Sequence, residues 1–590
     1  MTRPWKFAIA FFAVGAFIIV AAFGVLFWAG WRESRVPGRT VLEVDLSAPF
    51  LEQRPEGPFG AVFDKRMRLR DLVEALHAAA ADKKVVGLVA RVSPEGTGLA
   101  GIEELRDAVA AFRASGKPAI AWTDTFGEVT PANGAYYLAT AFDQIYIQPS
   151  GDVGLTGLEL TSLFLRGTLD KLGVEPQFAQ RYEYKNAPNT FTDTAFTPAH
   201  RESMDELAGS IFDHMVAEIS TARKIAPEQL RAAIDQGPLL GDEAVKAKLV
   251  DGLLYRDEVY TRIERLTGKG GQPQLLYLRK YWERVQHPWS RGDKAIGIVY
   301  GVGDVMRGKS ASDPLTGTVT MGSDTVAAAL RAASEAPDVA AIVLRVDSPG
   351  GSYVASDSIW REVQRARKRG TPVIASFGDV AASGGYFVAM GADKIVAHPT
   401  TITGSIGVYG GKMVTRELWK KLGITFDSVQ RGEHADMWSG IAPMDEDEWA
   451  KFNGWLDRVY ADFTTKAAEG RHLPLARLQE LAKGRVWSGV DAKKWGLVDE
   501  LGGYDTALRL AKRAAHLAPD AQVEVREYPR PRNPFEEIFE QGRDSSDEEG
   551  AQTLERAIVA LRPALRTLRE AGLLDPQPPQ VLRAAELSIR

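Results

Sequence analysis

The amino-acid sequence predicts an α/β fold laid out as two tandem copies behind an N-terminal membrane-spanning helix. Three observations predict it: an apolar run near the start, a long degenerate repeat, and strand and helix patterns alternating within each copy. A chain of 590 residues exceeds one ordinary domain. Its 45% hydrophobic and 25% charged residues are those of a globular protein with a large core. The net charge of -5, with no dominant basic face, argues against nucleic acid as the main partner. The absence of cysteine excludes disulfides, thiol catalysis and cysteine-ligated metals. No metal and no cofactor are expected.

After a short tail at residues 1–6, residues 7–30 (FAIAFFAVGAFIIVAAFGVLFWAG) are almost wholly apolar. At about 1.5 Å per residue the run spans a hydrocarbon core of roughly 30 Å. A cleaved signal peptide is the competing reading, but its apolar region is typically about 7–15 residues. Phe27, Trp28 and Trp31 suit an interfacial belt better than a cleavage site. Basic residues flank both ends, so charge alone does not orient the helix. Its position ahead of a large domain favours export of the bulk.

The repeat follows. Val85 to Val92 (VVGLVARV) resembles Val339 to Val346 (VAAIVLRV), 254 residues on, and GKPAIA from Gly116 resembles GTPVIA from Gly370. The offset then becomes 250, pairing GAYYLATAFDQIYIQPS from Gly134 with GGYFVAMGADKIVAHPT from Gly384. The copies are placed at 40–265 and 294–520, with a linker at 266–293. In the second copy AIGIVYGV, AAIVLRVDS and TPVIASFG read as strands; DTVAAALRAASEA and SDSIWREVQRARKRG read as helices. That alternation implies parallel pairing through right-handed crossovers. Residues 529–590 read as a charged linker and a helical tail.

Two segments of the second copy combine into a site. Pro349-Gly350-Gly351 follows a buried strand and opens a helix, and Ser383 also lies between a strand and a helix, before Gly384 and Gly385. The N–H of Gly384, with one from Gly350 or Gly351, could hold an oxyanion. Alone, AASGG also reads as close helix–sheet packing and SPGG as a common turn. A nucleophilic serine needs a base. His398, 15 residues beyond Ser383, fits a histidine triad, but its counterpart in the first copy is Gln148. The repeat offers another partner. Ser383 corresponds to Asn133, and Lys185 corresponds to Ala435. Each copy keeps one half of a Ser–Lys pair and lacks the other.

GDVAASGGYFVAMGADKIVAHPTTITGSIGV, SPGG and the Tyr-Lys-Asn of EYKNA resemble the signal peptide peptidase A family, the long two-domain form also called protease IV. The resemblance covers most of residues 1–520. It implies two crotonase-like (Clp-protease-like) domains, a serine endopeptidase, and a Ser–Lys dyad split between the domains. Ser383 would be the nucleophile, Lys185 the general base, Ser405 the residue orienting the lysine, and Gly350 and Gly384 the oxyanion hole. It further implies peptide substrates, remnant signal peptides and other apolar peptides, a homotetramer, and single-pass placement in the bacterial inner membrane with the catalytic domains on the periplasmic side. A non-enzymatic membrane scaffold and a crotonase-type acyl-CoA enzyme stand as alternatives. Lysine accepts a proton near neutral pH only if burial disfavours its ammonium form.

Overall fold

The computed structural model describes residues 35–53, 66–93, 96–268, 270–285, 287–290, 292–312, 318–530, 582–583 and 588–589. The first copy runs β1 (Thr40–Leu46), α1 (Leu69–Ala81), β2 (Val85–Val92), α2 (Leu99–Ala114), β3 (Ala119–Thr123), α3 (Asn133–Ala139) and β4 (Gln144–Ile147). It continues through β5 (Leu160–Thr161), β6 (Glu175–Arg181), α4 (Pro198–Arg223), β7 (Gly252–Leu253) and β8 (Gln274–Tyr277). Six of these strands form one parallel sheet in the order β8-β1-β2-β3-β4-β7. Apolar runs such as VVGLVARV suit its middle, where both faces are covered. Helix α2 buries Ile102, Leu105, Val109 and Phe112 at helical spacing, so one stripe faces the core.

The second copy repeats this plan. It contains β9 (Ala295–Val302), β10 (Asp304–Met306), α5 (Ser323–Glu335), β11 (Val339–Ser348), β12 (Gly350–Gly351), α6 (Tyr353–Lys368), β13 (Val373–Ala382) and α7 (Gly384–Ala389). Then come β14 (Lys394–Ala397), β15 (Ile402–Gly404), β16 (Val408–Val414), α8 (Glu446–Arg471), β17 (Val486–Ser488), α9 (Tyr504–Ala514) and β18 (Glu524–Tyr528). Its sheet runs β17-β15-β13-β11-β9-β18, with β14 also on β13. The closing strands β8 and β18 pair in parallel with the opening strands β1 and β9. Residues 274–277, placed in the linker by sequence, therefore belong to the first sheet: QLLY supplies an edge strand too short to stand out by periodicity.

The copies are joined by more than the linker. Strand β6 of the first pairs antiparallel with β16 of the second over seven residues, from Glu175 opposite Val414 to Arg181 opposite Val408. Arg181 extends the contact to α8, reaching Asp457 at 2.5 Å and the carbonyl of Asn453 at 3.0 Å. Near the C-terminus a two-residue strand β19 (Leu582–Arg583) pairs antiparallel with β12. The tail helix expected within 529–590 lies outside the described residues.

The membrane anchor requires correction. Residues 7–30 lie outside the described residues, and among those described no helix is long and apolar enough to cross a membrane. The two longest, α4 and α8, have 26 residues each but carry charges throughout, as in PAHRESMDELAGSIFDHMVAEISTAR. Anchoring, the membrane as partner, and the single-pass inner-membrane placement with a periplasmic catalytic side thus lose their basis and are withdrawn.

Candidate active site

Strand β13 ends at Ala382, and Ser383 follows at φ 56° and ψ -117°, a conformation uncommon for a residue with a side chain. Its N–H donates to the Gly404 carbonyl at the end of β15 (2.8 Å), and its carbonyl accepts the Phe387 N–H as α7 begins. The backbone is thus held from both sides, and Ser383 is fully buried.

Lys185 arrives from the other copy. It lies four residues beyond β6, in a turn whose Tyr182 and Tyr184 N–H groups both reach the Lys483 carbonyl of the second copy at 3.2 Å. Lys185 Nζ lies 2.8 Å from Ser383 Oγ, 2.9 Å from Ser405 Oγ and 3.0 Å from the Ser405 carbonyl. Ser405 stands at the same end of the β6–β16 ladder, three residues before β16 begins. Burial alone holds the lysine pKa well below its ordinary value, since Lys185 is 1% exposed. A buried neutral amine against a hydroxyl can take its proton, while the Ser405 oxygens fix the amine's direction.

Gly350 and Gly384 are placed less simply. The Gly350 N–H donates to Ser348 Oγ at 3.2 Å, whereas the Gly351 N lies 3.0 Å from where a Cβ on Gly384 would stand. Both glycines of the turn therefore lie against Gly384, Gly350 by its Cα at 3.2 Å. No larger residue fits at 384, because its Cβ would also meet Ser356 Oγ at 2.7 Å.

His398 does not face the serine. Its Nε2 lies 3.1 Å from Glu104 Oε2 and its Nδ1 3.9 Å from Glu103 Oε2, both on α2 of the first copy. Burial works against the imidazolium, but the Glu104 hydrogen bond and the charges of Glu104, Glu103 and Asp107 outweigh it and raise the pKa. A histidine whose ring faces two carboxylates of the other copy is not placed as a base for Ser383.

Sequence reasoning missed four participants. Ser348 engages the Gly350 N–H; it sits in the quoted SPGG, so it was within reach. Gly484, at φ +86°, has its ideal Cβ position 2.4 Å from Lys185 Cβ, and AKGRVW carries no sign of that. Glu103 and Glu104 lie off the apolar stripe of α2, on the side that meets the other copy, so in sequence they read as an ordinary charged face. Among the described residues no group of three or more histidine, cysteine, aspartate or glutamate side chains is placed to hold a metal ion.

The model of peptidase family S49 matches residues 111–269 and 365–518, one block in each copy. The chain is 31% identical over 531 residues to the chloroplastic serine protease SPPA of Arabidopsis thaliana, covering 88% of this chain and 76% of that one. It is 32% identical over 469 residues to Protease 4 of Haemophilus influenzae, covering 77% and 74%. Among solved structures, a point mutant of ClpP1 from Listeria monocytogenes aligns with 36% of this chain and 94% of its own, at 16% identity and a TM-score of 0.23. The crotonase-like label expected from sequence is corrected accordingly: the matching family is one of peptidases, and the fold is an S49 α/β fold with two internal repeats. The homotetramer is not carried forward either, because neither the single-chain structure nor the relatives' names give an oligomeric state.

Proposed function

The chain belongs to peptidase family S49 and is a serine peptidase; from that premise we propose that Ser383 is its nucleophile and Lys185 its general base. The observation that carries the reading is the 2.8 Å contact between a buried lysine amine and a buried serine hydroxyl drawn from opposite copies. Neutral Lys185 takes the Ser383 proton as Oγ attacks the peptide carbonyl. The ammonium then gives that proton to the departing amine, leaving an acyl-enzyme. A water molecule, deprotonated by the same amine, releases the acid. The N–H groups of Gly351 and Gly384 are the donors assigned to the oxyanion, with Gly350 shaping the turn that presents Gly351. Ser405 keeps the amine aimed through both halves of the cycle.

The substrate class is a peptide in extended form. Strand β12 pairs with β10 on one side and antiparallel with β19 on the other, so a peptide taking the place of β19 would hydrogen-bond as a strand beside Ser383. The membrane-anchored disposal of remnant signal peptides implied by the resemblance is replaced by this coarser statement, because no membrane-spanning helix is found among the described residues.

The test is turnover of a panel of fluorogenic peptides by the purified protein and its Ser383→Ala variant. Wild type is expected to cleave at least one of them. The variant, folded by circular dichroism, is expected to fall by about 10⁴-fold or more. Substantial turnover by the folded variant sinks the assignment.

A further inference from the structure

The dyad is assembled from two copies of a fold, so something must hold those copies to a fraction of an ångström. The β6–β16 ladder does this on the lysine side. On the serine side, Ser383 hangs from Gly404 at the end of β15, and Ser405 follows directly. Strand β15 grows out of a tight turn at 398–401, closed by the Thr401 N–H on the His398 carbonyl and by the His398 N–H on Thr401 Oγ1, both 3.1 Å.

That turn is gripped by the first copy. Glu103 Oε2 accepts both the backbone N–H of Thr400 at 3.1 Å and its hydroxyl at 2.8 Å. The other oxygen of Glu103 is steadied from behind, by His214 Nε2 at 2.9 Å and the Tyr137 hydroxyl at 3.2 Å. One residue on, Glu104 faces His398 Nε2 at 3.1 Å and Arg345 at 3.4 Å, and accepts the Tyr504 N–H at 2.8 Å. Glu103, Glu104, His398 and Thr400 are each under 5% exposed. Residues 400–411 are buried without a break, so the segment from Thr400 to Ser405 is a stiff strut enclosed by protein.

We infer that Glu103 and Thr400 are positioning residues for the reaction: their contact, backed by Glu104 and His398, sets the placement of Ser383 and Ser405 against Lys185. The inference rests on the dyad reading above. It explains charges in a place where hydrophobic packing would otherwise be simpler. An apolar contact permits sliding, whereas two hydrogen bonds to one carboxylate oxygen fix a point. The charged and titratable groups involved are His214, His398 and Tyr137 around Glu103, His398 and Arg345 around Glu104, and Asp107 beside His398. Burial is the only influence shifting Lys185. A loosened strut therefore acts on it by admitting water, not by changing a neighbouring charge.

The experiment uses the full chain with Thr400→Val, which removes only the hydroxyl donor, Thr400→Ser, which restores it, and the near-isosteric Glu103→Gln. Steady-state cleavage of a fluorogenic peptide is measured across pH, with thermal melting as the folding control. Thr400→Val is expected to lose about tenfold in kcat, since small displacements of reacting groups are costly, with KM within about twofold. The acid limb of its kcat–pH profile is expected to move to higher pH, as water near Lys185 eases the ammonium form. Thr400→Ser is expected to recover both, and Glu103→Gln to resemble Thr400→Val. A folded Thr400→Val with wild-type kcat and an unmoved acid limb overturns the inference, as does a loss that Thr400→Ser fails to restore. If Thr400→Val does not fold, Glu103→Gln decides by the same two readouts. Ser383→Ala run in parallel separates the layers: turnover there removes the dyad itself, while its inactivity beside an unaffected Thr400→Val removes only the positioning role.

Discussion

The same location in the two copies has two fates. In the second copy Ser383 stands over the lysine of its neighbour. In the first, Asn133 occupies the equivalent place, and its side chain is spent on structure: Nδ2 donates to the Gly157 carbonyl at 2.8 Å, while Oδ1 accepts Thr156 and Gly157 N–H groups at 3.1 and 3.2 Å. The glycine loop differs in the same way. In the second copy it carries Gly350 and Gly351 beside the serine. In the first, the loop at Gly96 to Gly98 leads into α2, whose start is plugged by Asp379 of the second copy, bonded to the Gly101 N–H at 3.0 Å. The lysine side is inverted: Lys185 is buried, and its counterpart Ala435 is exposed. Duplication has thus separated tasks. One copy lends the base, and the other supplies the serine and the glycine turn beside it.

Exchanging the distinguishing side chains tests this comparison. The largest effect is expected from Ser383→Asn, which gives the second copy the first copy's residue: turnover should fall by about 10⁴-fold or more, and adding Lys185→Ala should cost little further. The reverse change, Asn133→Ser, should create no second site, because Ala435 offers no base. A doubled or Lys185-independent activity in that variant would break the comparison.

Gly484→Ala comes next. Its methyl group would press on Lys185 from a position at φ +86°, so kcat should drop by about 10²-fold with the dyad chemically intact. Near-wild-type kcat would mean the base loop has slack that the structure does not show.

Asn133→Ala should leave kcat unchanged and destabilise the protein by about 1 kcal/mol, because three part-buried backbone groups lose their partner. Peptide cleavage measures the first quantity and chemical denaturation the second; a loss of kcat without a loss of stability would give the first copy a role in chemistry.

The smallest effect concerns pH and stability. Lys185 is pushed below the ordinary lysine range, so wild-type kcat should rise with pH as the ammonium is lost. The unfolded chain, whose lysine titrates normally, binds the extra proton between the two pKa values, so this residue's contribution to stability also rises with pH across that window. Lys185→Met, inactive for want of a base, should flatten that part of the stability profile and stabilise the protein by about 1 kcal/mol at neutral pH, where the lysine is carried at a cost. Unchanged stability at every pH would indicate a lysine that water already reaches.

Much of the architecture was legible because repetition doubles every signal. VVGLVARV and VAAIVLRV are ambiguous apart, yet aligned they mark the same central strand of two sheets. Complementary loss between the copies links Ser383 to Lys185, which needs alignment and no geometry. Ser405 came only through family resemblance, since one serine in TGSIG has nothing to distinguish it. What stayed hidden depends on how the copies meet. His398 is near Ser383 in sequence, which made it the candidate for a histidine triad, but its ring faces two glutamates that lie 294 residues or more away. Gly350 and Gly351 both lie against Gly384, one by its Cα and one by its N, a matter of backbone direction that sequence does not encode at one-residue precision.

The ladder between β6 and β16 has a consequence for synthesis. Chains emerge from the ribosome N-terminus first, and domains fold largely as they appear. The first copy can complete its six-stranded sheet while the second is still being made. Until β16 arrives, more than two hundred residues later, Glu175–Arg181 remains an edge with no strand beside it. Exposed edges recruit strands from other molecules. The feature that delivers the base to the serine thus also makes the half-made chain a target for aggregation, and a natural client for chaperones that shield open edges.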